Sequence, residues 1–401
     1  VSHNIGGVAS DSLTNIEGIK GSTTASNTLI GNNMNNTLIG GNQTDTIKGV
    51  SGNNSLSGGA GNDTIFAGSG SDTIDGGAGD DWLDYTDLAD LASTNVSVNL
   101  RNNTATYGSS TDSITAIEHL KMGNGTNTVQ GNSYANSFIG GTGTDTLSYS
   151  EAASGVTVNV TSAGAGTSSG DGADVFTGFE NYTLSGNADI INLGVVHNGS
   201  IINGGTGIDT ASYANVVTAL TVTVANGNTS ATVSDGTNSN TLQSIEKIIG
   251  GDGNDTFIVS NVSEINTLDG DGGNNTLKLS GNLDLSSVTL LNFQNLEIAN
   301  GDILTVNAVD LSGKTMNINM LGTGSLIIVS DGSNHNFSNI SVTKGTGTVT
   351  LDVNINKDIS ATNINNIIDK FDVASGSTLT LSYSQFNGHK GVGTGTLKLS
   401  D

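Results

Sequence analysis

Acidic residues recurring at one position of a nine-residue step are the chemical signal in this sequence. The steps open at Ser22, Gly31, Gly40, Gly49, Gly58, Ala67 and Gly76, and their sixth positions read Asn27, Asn36, Asp45, Asn54, Asp63, Asp72 and Asp81. A carboxylate in a Gly-rich turn is a hard oxygen donor, suited to a hard divalent cation that takes six or so oxygens. Acid–base catalysis would need two carboxylates across a cleft. Asp80 and Asp81 are neighbours, but the repeat already accounts for Asp81.

The eighth positions show what must hold these carboxylates. They read Leu29, Leu38, Ile47, Leu56, Ile65, Ile74 and Leu83, seven aliphatics without a break. Each step therefore gives a Gly-rich turn that tolerates positive φ and a short strand with one inward aliphatic. Two steps close one coil, and coils stack as parallel strands about 4.8 Å apart. Aspartates two steps apart then superpose. One edge carries Asn27, Asp45, Asp63 and Asp81, and the other carries Asn36, Asn54 and Asp72. A calcium ion between stacked turns would take carboxylates from both, with turn carbonyls completing the shell.

These residues resemble the RTX (repeats-in-toxin) family, whose consensus is GGxGxDxUx. Residues 58–66 (GGAGNDTIF), 76–84 (GGAGDDWLD), 140–148 (GGTGTDTLS) and 250–258 (GGDGNDTFI) match in full, and 204–212 (GGTGIDTAS) matches except at Ala211. The resemblance implies a calcium-binding parallel β-roll, exported by type I secretion and working outside the cell. It implies side-chain ligands at Asp45, Asp63, Asp72 and Asp81, and at Asp145, Asp209 and Asp255 of the other copies. Carbonyls of turns such as Gly58, Gly61, Gly76 and Gly79 would complete the shells. Asn27, Asn36 and Asn54 depart from the pattern, so the early coils are expected to be metal-poor.

A longer repeat overlies the short one. Gly76, Gly140 and Gly204 open Gly-Gly turns, and Tyr85, Tyr149 and Tyr213 follow each by nine residues. Alternating strands come next at 96–100, 156–160 and 220–224. Each unit closes on a phrase, Asp112 to Glu118, Asp174 to Glu180 or Asn240 to Glu246, which also occurs at Asp11 to Glu17. The tyrosines are expected to pack over the coil edge and the glutamates to bond backbone donors. The organisation read from this is a tail of a preceding unit (1–21), an RTX β-roll (22–84), repeat units at 85–149 and 150–213, a unit with RTX turns (214–279), and a strand-rich β domain (280–401). Val1 and the opening phrase read as a piece of something longer. Short helices are expected only at Asp87 to Ala92 and Asn363 to Phe371. The fold class is all-β, calcium-stapled coils followed by further strands.

Composition agrees with a fold that needs more than a core. Apolar residues make up 34% and aromatics 4%, too little for a thick interior. Thirty Asp stand against seven Glu, with a formal net charge of -25. That balance repels nucleic acid and anionic membranes and opposes folding unless cations bind. Cysteine is absent, so no disulfide contributes, and proline is absent, as expected where nearly every backbone N–H joins a ladder. No apolar stretch is long enough to span a membrane.

Catalytic signals are weak. His3, His119, His197, His335 and His389 are dispersed, and Gly166-Thr-Ser168-Ser-Gly170 lacks the strand and helix of a nucleophile elbow. Asp269-Gly-Asp271 has Ser280 where an EF-hand needs Glu. The expectation is a non-enzymatic, calcium-dependent structural segment of a bacterial surface layer, filament or adhesin, self-associating or flanked by like modules. A secretion module of a larger enzyme is the alternative. A glycan-binding face is a third reading, carried by Trp82 and the column Thr28, Thr37, Thr46, Thr64 and Thr73.

Overall fold

The computed structural model describes residues 4–5, 17–86, 94–162, 164–225, 230–330, 333, 335–353, 357–358, 367–387 and 389–400. Among these the chain is all-β, with two four-residue helices, Ala308–Leu311 and Tyr383–Phe386. The helix expected at 87–92, the phrase at 11–16 and the part of the second expected helix before residue 367 lie outside the described residues. Of the remainder of that second stretch, Lys370 and Phe371 are strand: Lys370–Val373 pairs parallel with Val349–Val353, with Phe371 inward. Two compact units are present, residues 1–207 and 208–401.

In the first unit the nine-residue steps form two parallel sheets. Thr28–Ile30, Thr46–Lys48, Thr64–Phe66 and Trp82–Asp84 pair in sequence, with Leu29, Ile47, Ile65 and Leu83 in register. Gly18–Gly21, Thr37–Gly41, Ser55–Ala60 and Thr73–Ala78 do the same, aligning Ile19, Leu38, Leu56 and Ile74. The aliphatics face one another across the coil, and Ile47, Ile65, Ile74 and Leu83 are fully buried. Each such side chain contributes about 1.5–3 kcal/mol. One inward aliphatic per nine residues makes a thin core.

The longer units depart from the coil and return to it. Ser97–Asn99, Thr104–Tyr107 and Ser110–Thr115 form an antiparallel excursion. Its first strand pairs parallel with Thr128–Gln130, and its last with Thr73–Ala78, setting Ile114 against Ile74. Thr157–Ser162, Ala165–Ser169 and Val175–Thr177 repeat the device, as do Thr221–Val224, Ser230–Ser234 and Ser239–Gln243 in the second unit. The alternating strands read from sequence are the outgoing strands.

In the second unit parallel coils continue beyond residue 280, although the nonapeptide has faded. The register step is 18 residues at Thr46↔Thr64, 20 at Lys247↔Thr267, 22 at Asn295↔Asn317 and 24 at Met316↔Ile340. Ile303–Asn307, Ser325–Val329, Val349–Val353 and Lys370–Val373 stack in the same direction. No helix among the described residues is long and apolar enough to cross a membrane.

Candidate metal centre

The sixth-position residues stack as the 18-residue coil requires, and hydrogen bonds tie each to the next. Oδ1 of Asp45 accepts from the Asn27 N–H at 2.5 Å, Oδ1 of Asp63 from Asp45 at 2.7 Å, and Oδ1 of Asp81 from Asp63 at 2.7 Å. On the other edge, Asn54 Oδ1 accepts from Asn36 at 2.9 Å and Asp72 Oδ1 from Asn54 at 2.7 Å. Asp145 does the same for Asn127 at 2.8 Å. One oxygen of each carboxylate is thus committed to the backbone.

The second atom of the side chain distinguishes two kinds of turn. In the turns of Asn27, Asn54 and Asn127 it is an amide nitrogen that donates to carbonyls. Asn127 Nδ2 reaches the carbonyls of Gly123 and Gly125 in its own turn and Gly140 on the next coil, at 3.1–3.2 Å. Asn54 Nδ2 donates to Gly52 and Asn27 Nδ2 to Ser22 and Ala25, each at 3.0 Å. Carbonyl oxygens therefore converge on that atom. In the aspartate turns the same place is taken by Oδ2, which cannot donate. Oδ2 of Asp45, Asp63, Asp72, Asp81 and Asp145 is buried with no hydrogen-bond donor.

The glycine opening each turn shows what surrounds that oxygen. A Cβ on Gly40 would collide with both Asp45 Oδ2 and the Gly58 carbonyl, and one on Gly58 with both Asp63 Oδ2 and the Gly76 carbonyl. The carboxylate and the next coil's carbonyl share one space. Gly61 and Gly79 hold φ of +108° and +147°, which keeps the turns tight enough for this stacking.

Oxygens facing oxygens in a buried pocket require a positive charge. None of the ion pairs among the described residues involves these carboxylates. Burial, opposed by the backbone bond to Oδ1, pushes Asp63, Asp72 and Asp145 up to about 6, and Asp81 and Asp45 add repulsion at Asp63. Among the described residues no three His, Asp or Glu side chains converge. A cation here would therefore be held by carboxylate Oδ2 and carbonyl oxygens, the hard all-oxygen set that calcium accepts. The residues fit the ion.

Not every expected residue is equivalent. Asp255 Oδ1 accepts from Leu220 and its Oδ2 from the Gly251 N–H, both at 2.7 Å, so its second oxygen already has a donor. Asp209, by contrast, matches Asp81 and Asp145: it is buried, and its own N–H donates to a closing-phrase glutamate, Glu246 Oε2, at 2.7 Å.

Sequence reasoning missed several members of the stack. Asp112 and Asp174, in the closing phrases, extend it by accepting from the N–H groups of Asp72 at 2.9 Å and Asn136 at 3.0 Å. Degenerate steps put Asn127, Asn136 and Asp189 in equivalent places, and the aliphatic or aromatic residue two positions later was the available signal. A further closing corner ends at Gln294, whose Oε1 accepts from Asn275 at 2.6 Å. Positive φ marks all four corners, at Ala116 (49°), Gly178 (76°), Ser244 (49°) and Asn292 (55°).

The tyrosines, expected over the coil edge, lie inside it. Tyr85 donates to Asp112 Oδ2 at 3.0 Å, Tyr149 to Asp174 Oδ2 at 2.9 Å, and Tyr213 to Asn240 Oδ1 at 3.2 Å. Tyr107 adds a bond to Asp112 Oδ1 at 3.1 Å. Burial, opposed by the Asp72 N–H and these tyrosine donors and reinforced by repulsion from the Asp72 carboxylate, places Asp112 at about 7. Ser168 of the GxSxG string sits in the strand Ala165–Ser169 and donates to Asp174 Oδ2 at 2.9 Å. Trp82 packs against His119 of the next coil, with ring centroids 4.9 Å apart and planes tilted by 34°.

Comparison with known families agrees with this geometry. The model of the RTX calcium-binding nonapeptide repeat matches residues 22–56, 48–83, 123–151, 245–260 and 263–281. No curated protein matches the chain.

Proposed function

Because the chain carries RTX calcium-binding nonapeptide repeats, we propose that it is a non-enzymatic structural segment that acts outside the cell and folds on calcium. The observation that carries this reading is the buried, donorless Oδ2 at Asp45, Asp63, Asp72, Asp81 and Asp145. Asparagine supplies an N–H at the equivalent place, while aspartate calls for an ion.

The physical sequence is simple. Where calcium is scarce, as inside a cell, stacked carboxylates repel one another and the thin core cannot compensate, so the chain stays unfolded and exportable. At millimolar calcium outside, ion binding and folding become one event. Repeats and coils extend through both units, which suits a surface-layer, filament or adhesin segment whose work is mechanical.

Calcium titration into the chelator-treated chain, followed by far-ultraviolet circular dichroism, tests this. A gain of β signal with saturation is expected. An unchanged spectrum, or an equal gain with magnesium, would overturn the reading.

A further inference from the structure

The turns of Asp81 and Asp145 are each followed by an excursion, and the coil above them is not another nonapeptide but a closing corner. This inference rests on the calcium reading and extends it to residues outside the nonapeptide pattern. The Asp81 N–H donates to Glu118 Oε2 at 2.9 Å, and the Asp145 N–H to Glu180 Oε2 at 2.8 Å. The partners are 37 and 35 residues apart. Each glutamate thus takes the backbone bond that Asp63 and Asp81 take lower in the stack.

The corner also replaces the glycine carbonyl. A Cβ on Gly76 would collide with the Ala116 carbonyl and with Asp81 Oδ2, and one on Gly140 would collide with the Gly178 carbonyl beside Asp145. Asp81 and Asp145 are 0% exposed with donorless Oδ2 atoms, and that of Asp81 shares this space with the corner. A second carboxylate stands close enough for Glu118 to repel Asp81 and Glu180 to repel Asp145. Asp75 and Asp80 add further negative charge at Asp81. The nearby guanidinium, Arg101, lines the same cleft of about 370 Å³ as Ala116 and Glu118, but it is engaged by Asp171.

The chain contains its own uncharged control. At the corner ending in Gln294, the partner of the acceptor is Asn275, and both side chains are neutral. There Asn275 Nδ2 donates to the carbonyls of Gly272 at 2.8 Å and Asn292 at 3.0 Å. An amide thus satisfies the corner carbonyl where no charge is present. At Ala116 the Oδ2 of Asp81 stands instead, at Gly178 the buried Asp145 lies beside the carbonyl, and each has a second carboxylate alongside.

We propose that Asp81–Glu118 and Asp145–Glu180 form divalent-cation sites of a second kind, each joining a repeat turn to a closing corner. Two carboxylates balance one divalent charge, and the corner carbonyl and turn carbonyls supply further hard oxygens. The ion pins the returning strand to the roll, so Ser110–Thr115 and Val175–Thr177 are held by metal as well as by strand pairing.

Glu118→Gln and Glu180→Gln test this in the whole 401-residue chain, because glutamine keeps the acceptor for the backbone N–H, as Gln294 shows. Bound calcium per chain is counted by native mass spectrometry at saturation, and amide exchange is followed over 104–115 and 165–177. Each single variant should lose one calcium and the double variant two. Calcium-dependent protection should disappear only in the matching excursion. Full stoichiometry with unchanged protection in both variants would overturn the proposal. Asp63→Asn separates the two levels: if it loses calcium while the glutamine variants lose none, the corner sites are wrong and the nonapeptide sites stand. A wild-type chain that binds no calcium sinks both.

Discussion

The N–H of Asp63 donates to Oδ1 of Asp81 across 2.7 Å, although the two lie 18 residues apart. That bond aligns the carboxylates of successive coils and leaves the other oxygen of each facing carbonyls. Backbone geometry therefore brings like charges together, and the resulting electrostatic conflict is what an ion resolves.

Asp63→Asn should uncouple folding from calcium at that coil. An amide there can donate to the turn carbonyls as Asn127 does. The variant should bind calcium at least about 10-fold more weakly at this shelf, or about 1.4 kcal/mol. Without calcium near neutral pH it should retain more β structure than wild type. Calorimetric titration and far-ultraviolet circular dichroism in chelator check both. A variant with less β signal than wild type in chelator would contradict the charge argument.

The pH dependence should reverse with calcium. Asp63, Asp72 and Asp145 rise from an ordinary value of 3.8 to about 6, and Asp112 to about 7. A carboxylate raised in the folded state favours folding below its unfolded value, and that contribution is lost as pH climbs through the folded value. In chelator the chain should therefore show more β signal at about pH 4.5 than at about pH 8. In saturating calcium the order should invert, because protons and calcium compete for the same oxygens. Parallel pH profiles in the two conditions would argue against shared sites.

The buried tyrosines should differ in weight by the charge of their partners. Tyr85→Phe removes a bond to the carboxylate of Asp112 and should cost about 1.5–3 kcal/mol. Tyr213→Phe removes a bond to the amide of Asn240 and should cost about 1 kcal/mol. Denaturant melts in calcium give the comparison, and equal losses would show that the charge of Asp112 is not what Tyr85 serves.

What could be read from the residues tracks how regular the spacing is. Between Ser22 and Asp84 the step never slips, so strand, register and the stacking of Asp45, Asp63 and Asp81 follow from counting. The pairing of Tyr85 with Asp112 was not legible, because an excursion of variable length separates them and only the return of Ile114 to Ile74 sets them together. Beyond residue 280 the coil varies between 18 and 24 residues, which erases the nine-residue period while the parallel stacking persists. The corner at Asn292 was missed because Val288 and Gln294 replace the Asp or Asn that opens the phrase and the Glu that closes it, although its geometry is the same. The helix expected through Phe371 failed because an inward position in a stacked strand overrides weak local helix preference.

Anomalous diffraction from crystals grown in calcium tests the central claim most directly. Peaks should stand between Asp63 Oδ2 and the Gly76 carbonyl and at the equivalent place beside Asp45, with none beside Asn54 or Asn127. Density at the asparagine turns equal to that at the aspartate turns, or no density at Asp63, would contradict it.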